Sequence, residues 1–70
     1  MKSEIIDITV THDGIFYLIN FPDYPNLFTQ ATHIREIDRM AKDLLNLALD
    51  IPLEAIEIRS EFLERFALTL

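Results

Sequence analysis

Polar and apolar residues alternate at the start of the chain. Ile6, Ile8 and Val10 are interleaved with Asp7, Thr9 and Thr11, the period of a half-buried β-strand. His12-Asp13-Gly14 follows, and an Asp-Gly pair between apolar runs predicts a hairpin turn. The second strand, Ile15 to Phe21, is apolar on both sides. Phe16 and Leu18 point one way, and Ile15, Tyr17, Ile19 and Phe21 the other. Such a strand is either central in a covered sheet, or its outer side is an interface. In a short chain the interface reading gains weight.

Two prolines interrupt the pattern in Phe21-Pro22-Asp23-Tyr24-Pro25-Asn26. Proline fixes its own φ and pushes the preceding residue out of helix space. The segment therefore reads as a stiff surface loop presenting Asp23, Tyr24 and Asn26. Leu27 to Ala31 predicts a short third strand. Thr32 is a suitable N-cap for a helix whose apolar stripe is Ile34, Ile37, Ala41, Leu44, Leu45 and Ala48. Its other face carries Glu36, Arg39, Asp43 and Asn46, with Arg39 and Asp43 spaced i,i+4. Pro52 places the helix end near Leu49 or Asp50. Ile56, Ile58 and Phe62 alternate with Glu57, Arg59 and Glu61, which predicts a strand over about 55 to 62. Glu54, Glu57, Glu61 and Glu64 also repeat at helical spacing, and 63 to 70 stays unassigned. The expected fold is α+β in the order β-β-β-α-β. A three-stranded antiparallel meander carries one helix on one sheet face, then a fourth strand.

Seventy residues make one domain, 1-70, with a core over about 5-62. A fold this small usually needs a disulfide, a metal or a partner chain. The chain has no cysteine, so disulfides and thiolate zinc sites are excluded, and a homo-oligomer or permanent partner is expected. Hydrophobic residues make up 50% of the chain, too many for a disordered acidic tail. Twelve acidic against six basic residues give a net charge of −6. That sign opposes direct nucleic-acid binding and association with an anionic membrane, and suits a basic protein partner. With neither a signal-like apolar run nor a membrane-spanning stretch, the expected location is cytoplasmic.

No catalytic grouping is recognisable. His12 and His33 sit in a turn and at a helix start, without ligand spacing for a metal. The single glycine, Gly14, belongs to the hairpin, so no glycine-rich phosphate cradle exists. The expectation is a non-enzymatic protein without cofactor or metal. Its interface candidates are Asp23, Tyr24, Asn26, Glu57 and Glu61. Four of them have a plainer reading: Asp23 closing its own turn, Tyr24 packing as core, Glu57 and Glu61 forming a solvated face.

The hairpin, then Phe21-Pro22-Asp23-Tyr24-Pro25-Asn26, then Phe28-Thr29-Gln30-Ala31, resembles HicB-like antitoxins of type II toxin–antitoxin systems. That family typically has a Phe-Pro-Asp-x-Pro-Gly loop, a Thr-Gln pair and an amphipathic helix. Ile37 to Leu45, ending in Leu49-Asp50-Ile51-Pro52, looks like the helix of its short members. Asn26 and Ala31 stand where glycine is frequent, and Asn tolerates a left-handed backbone. The resemblance spans about 5 to 62 and implies a short form without the DNA-binding domain of longer members. It implies binding and occlusion of a small basic HicA-type RNA-cleaving toxin, with dimers or higher oligomers. A solitary oligomerisation or scaffolding domain without a toxin is the other expectation.

Overall fold

The computed structural model describes residues 3–63. A four-stranded mixed sheet, one α-helix and two short 3-10 turns follow the order β-β-β-α-β. Strand β1 (Glu4–Asp13) turns through Gly14, at φ 65°, into β2 (Phe16–Asn20). Glycine is suited to that left-handed backbone because it has no Cβ to clash. Strand β3 is Phe28–Ala31, helix α1 is Ile37–Leu49 and strand β4 is Ile56–Leu63. Spatial order is β3-β2-β1-β4. The first three strands form the antiparallel meander, and β4 joins β1 in parallel, Ile6 beside Ile58 and Asp7 beside Arg59.

Alternation makes one sheet face apolar. Ile6, Ile8 and Val10 of β1, Ile19 of β2, Ala31 of β3 and Ile56 of β4 are buried together. Helix α1 closes this face with Ile37, Ala41 and Leu45, and Phe21, just past β2, fills the same core. Burying such side chains contributes roughly 1.5–3 kcal/mol each, which is the main favourable term for so small a fold.

The helix departs from the sequence pattern at its start. Thr32 is not the N-cap. The chain first makes a 3-10 turn over Ile34–Glu36, whose leading carbonyl is that of His33, accepting from the Glu36 N–H at 2.9 Å. A cap must sit directly before the first turn, and Thr32 lies one residue too early. The tighter winding also swings Ile34 out of the stripe, leaving it exposed, and Ala48 is exposed as well. The helix ends where Pro52 requires. Asp50 adopts φ 61° and donates its N–H to the Asn46 carbonyl at 3.0 Å.

Asn46 serves this terminus rather than a solvated face. Its side-chain Nδ2 donates to the Ile51 carbonyl at 2.9 Å, which ties the turn after the helix to its last turn. On the exposed side the ion pair is Asp38–Lys42 at 3.3 Å, not Arg39 with Asp43. An acidic residue four positions before a basic one is the better orientation on a helix. Strand β2 is shorter than expected because Phe21 already belongs to the following turn. Residues 64–70, left unassigned above, and Glu64 with them lie outside the described residues.

Candidate functional site

The two prolines build two turns in succession. The Tyr24 N–H donates to the Phe21 carbonyl at 2.8 Å, and the Leu27 N–H donates to the Tyr24 carbonyl at 2.9 Å. Pro22 and Pro25 therefore each occupy the second position of a four-residue turn, where their fixed φ is already correct. Asp23 and Asn26 occupy the third positions and are exposed. Asn26 needs no left-handed backbone, because Asp50 is the one non-glycine residue with positive φ among the described residues. Asp23 does not close its own turn: among the described residues its carboxylate accepts no hydrogen bond.

Tyr24, at the junction of the turns, is half-buried and packs against the core cluster, as does Leu27. The loop is thereby pinned at its centre. Its ring is an anchor, and the groups it holds outward are Asp23 and Asn26.

The sheet face away from the helix is not covered by any described residue. Its occupants follow from the register. Phe28, Asn20, Thr9 and Glu61 form one row across the four strands, and Gln30, Leu18, Thr11 and Leu63 the next. Toward the start of β1, Asp7 pairs with Arg59 and Ile5 with Glu57. The β2–β3 side of this face is apolar. Phe28 is 72% exposed there, and Phe16 and Leu18 are half-buried. The β4 side is charged, with Glu57, Arg59 and Glu61 on one strand. Ile5, 57% exposed, lies among those charges.

Arg59 and Asp7 meet in a two-point contact, Nε to Oδ1 at 2.6 Å and Nη2 to Oδ2 at 3.2 Å. Hydrogen bonding to Arg59 holds the Asp7 carboxyl below its ordinary value of 3.8, opposed by desolvation and assisted by the charge of the guanidinium. The same bond raises the Arg59 guanidinium.

Two of the hollows on this face touch the residues just described. One of about 380 Å³ lies between Asp7, Thr9, Pro22, Arg59 and Glu61. It brings the base of the proline loop beside Glu61. The other, about 390 Å³, is lined by Leu18, Asn20, Phe28 and Gln30. Of the residues singled out in the sequence, Glu61 lies beside the start of the loop that carries Asp23, Tyr24 and Asn26. Glu57 lies two rows further along β4. Sequence reading missed Phe28 and Ile5 as exposed apolar positions, and the Asp7–Arg59 pair. The strand alternation already put Ile5 in phase with Asp7 and Thr9. Nothing local could pair residues 52 positions apart.

Among the described residues no three acidic or histidine side chains gather as metal ligands, and no helix is long and apolar enough to cross a membrane. His12 stacks on Tyr17, ring centroids 4.4 Å apart, across the β1–β2 hairpin. Comparison with known proteins finds no matching family model, no matching curated protein and no matching solved structure.

Proposed function

We propose that this chain is a non-enzymatic, antitoxin-like binding protein that occludes a small basic RNA-cleaving toxin of the HicA type in the cytoplasm. The observation that carries the reading is the uncovered sheet face, acidic along β4 and apolar along β2 and β3. A basic protein surface would meet Glu57, Glu61 and Asp23 through long-range attraction, which raises association rates. Phe28 and Leu18 would then lose water on contact and slow dissociation, as apolar centres of interfaces do. The order of hairpin, proline loop, Thr-Gln pair and helix, similar to that of HicB-like antitoxins, supports the same reading. With a net charge of −6, the chain itself makes no nucleic-acid contact in this proposal.

Co-expression with the small basic product of an adjacent reading frame tests it. The expected result is a stable complex and relief of growth arrest caused by that product. Absence of both defeats the proposal. A second reading, a solitary oligomerisation or scaffolding domain, draws on the same exposed apolar residues. A pure homo-oligomer with no affinity for the basic neighbour would favour it.

A further inference from the structure

Strand β4 forms one edge of the sheet, and among the described residues nothing pairs with its free rim. Folded proteins normally guard such edges with short strands, prolines, charged side chains (lysine above all) or inward-pointing charges. The three charges of β4 alternate in sign, so they exclude a second strand only in particular registers. The opposite edge, β3, has four residues and is guarded by its shortness. β4 has eight residues, Ile-Glu-Ile-Arg-Ser-Glu-Phe-Leu, with no proline or lysine. Its helix-side positions, Ile56, Ile58, Ser60 and Phe62, carry no charge. Phe62 and Leu63 are 50% and 45% exposed.

We infer that the occupant of this edge is β4 of a second copy of the chain, paired antiparallel about a two-fold axis at Ser60, giving a continuous eight-stranded sheet. The order of charges selects both the partner and the register. Glu57, Arg59 and Glu61 run minus, plus, minus along one face. Residues directly opposite in an antiparallel pair share a face, and like charges there destabilise the pair.

Centred on Arg59, the strands would oppose Arg59 with Arg59 and Glu57 with Glu61 twice. Centred on Ile58, they would match Glu57 with Arg59 but leave Phe62 and Leu63 outside the pairing. Centred on Ser60, Arg59 faces the second copy's Glu61 twice. Ile58 faces the second copy's Phe62 twice, and Leu63 lies against the aliphatic stem of the second copy's Glu57. Every position from 57 to 63 is then paired. Arg59 can bridge both ways, since Asp7 engages only Nε and one Nη2 donor of its five N–H groups. The two helices lie on the same side of the joined sheet, so the charged and apolar face described above stays open.

Sedimentation equilibrium on the full chain should give twice the 8.2 kDa chain mass. Glu61→Arg sets a guanidinium against Arg59 of the second copy and leaves the Asp7–Arg59 pair intact. It should raise the dimer dissociation constant by about tenfold, because two like-charge oppositions replace two attractive ones across the two-fold axis. Since the chain lacks cysteine, single cysteines report the register directly. Ser60→Cys should form a covalent dimer under mild oxidation. Glu57→Cys should not, because the two copies of residue 57 would lie roughly 20 Å apart along the strands. A monomer at high micromolar concentration overturns the inference. So does a dimer that Glu61→Arg leaves unchanged, or one in which Glu57→Cys cross-links as readily as Ser60→Cys.

Discussion

Asp7 and Arg59, 52 residues apart in sequence, are joined by two hydrogen bonds of 2.6 and 3.2 Å across the parallel β1–β4 junction. The contact sits where the returning chain docks on the first strand. It is solvent-exposed on both sides, so its weight lies in register more than in energy. A one-residue slip of β4 would turn Ile56 and Ile58 out of the core and bring Glu57 into it.

The pair makes stability depend on acidity in a defined direction. Arg59 lowers the Asp7 pKa in the folded chain, so the folded state favours the ionised carboxyl. Its contribution is fully present above the ordinary value of 3.8 and disappears as pH falls through the lowered folded value. Asp7→Asn should therefore show a shallower loss of thermal midpoint between neutral pH and about pH 2 than the parent chain. Parallel acid limbs in thermal melts of the two proteins would refute this.

Tyr24 should matter more for folding than its place in an exposed loop suggests. Its half-buried ring packs on the core between the two proline turns. Tyr24→Ala is expected to cost about 1–3 kcal/mol in urea unfolding, from lost burial and the gap left behind. An unchanged urea midpoint would mean that the ring contributes nothing to the core.

Phe28→Ser should behave in the opposite way. At 72% exposure the ring contributes little to the fold, so stability in urea should hold within about half a kcal/mol. Binding to the basic partner, measured by calorimetry, should weaken by more than about 1 kcal/mol if the β2–β3 side is the contact centre. Glu57→Lys should mainly slow association, and the effect should shrink as salt is added.

Asn46→Ala removes the only side-chain bond seen between the helix end and the turn after it among the described residues. The Ile51 carbonyl loses that donor, for an expected loss of about 1 kcal/mol. Hydrogen exchange should show the extra opening confined to the last turn of α1. Uniformly faster exchange throughout the sheet would contradict the local role.

Much of the fold was legible from local pattern. Alternation at Ile6, Ile8 and Val10 gave β1 its buried face, and Pro52 gave the helix its end. The stripe Ile37, Ala41, Leu45 named the helix residues that became core. The start of the helix was misread because Thr32 looks like a cap in isolation. Which carbonyl opens the first turn depends on how the chain leaves β3. Asn46 and Tyr24 were read by residue type, whereas their roles depend on Ile51 and on a core assembled from distant strands.

For the surface, the sequence alone set the net charge, the stiff proline loop and the existence of a strand apolar on both sides. Those properties rest on composition and on periods of two and three to four residues. It took the assembled fold to return β4 parallel to β1, setting Glu57 and Glu61 on the same face as Leu18 and Phe28. The same assembly left the eight-residue rim of β4 at the edge of the sheet. Strand pairing between residues some fifty positions apart is chosen by burial of the whole apolar face against the helix. No local stretch of sequence carries that information.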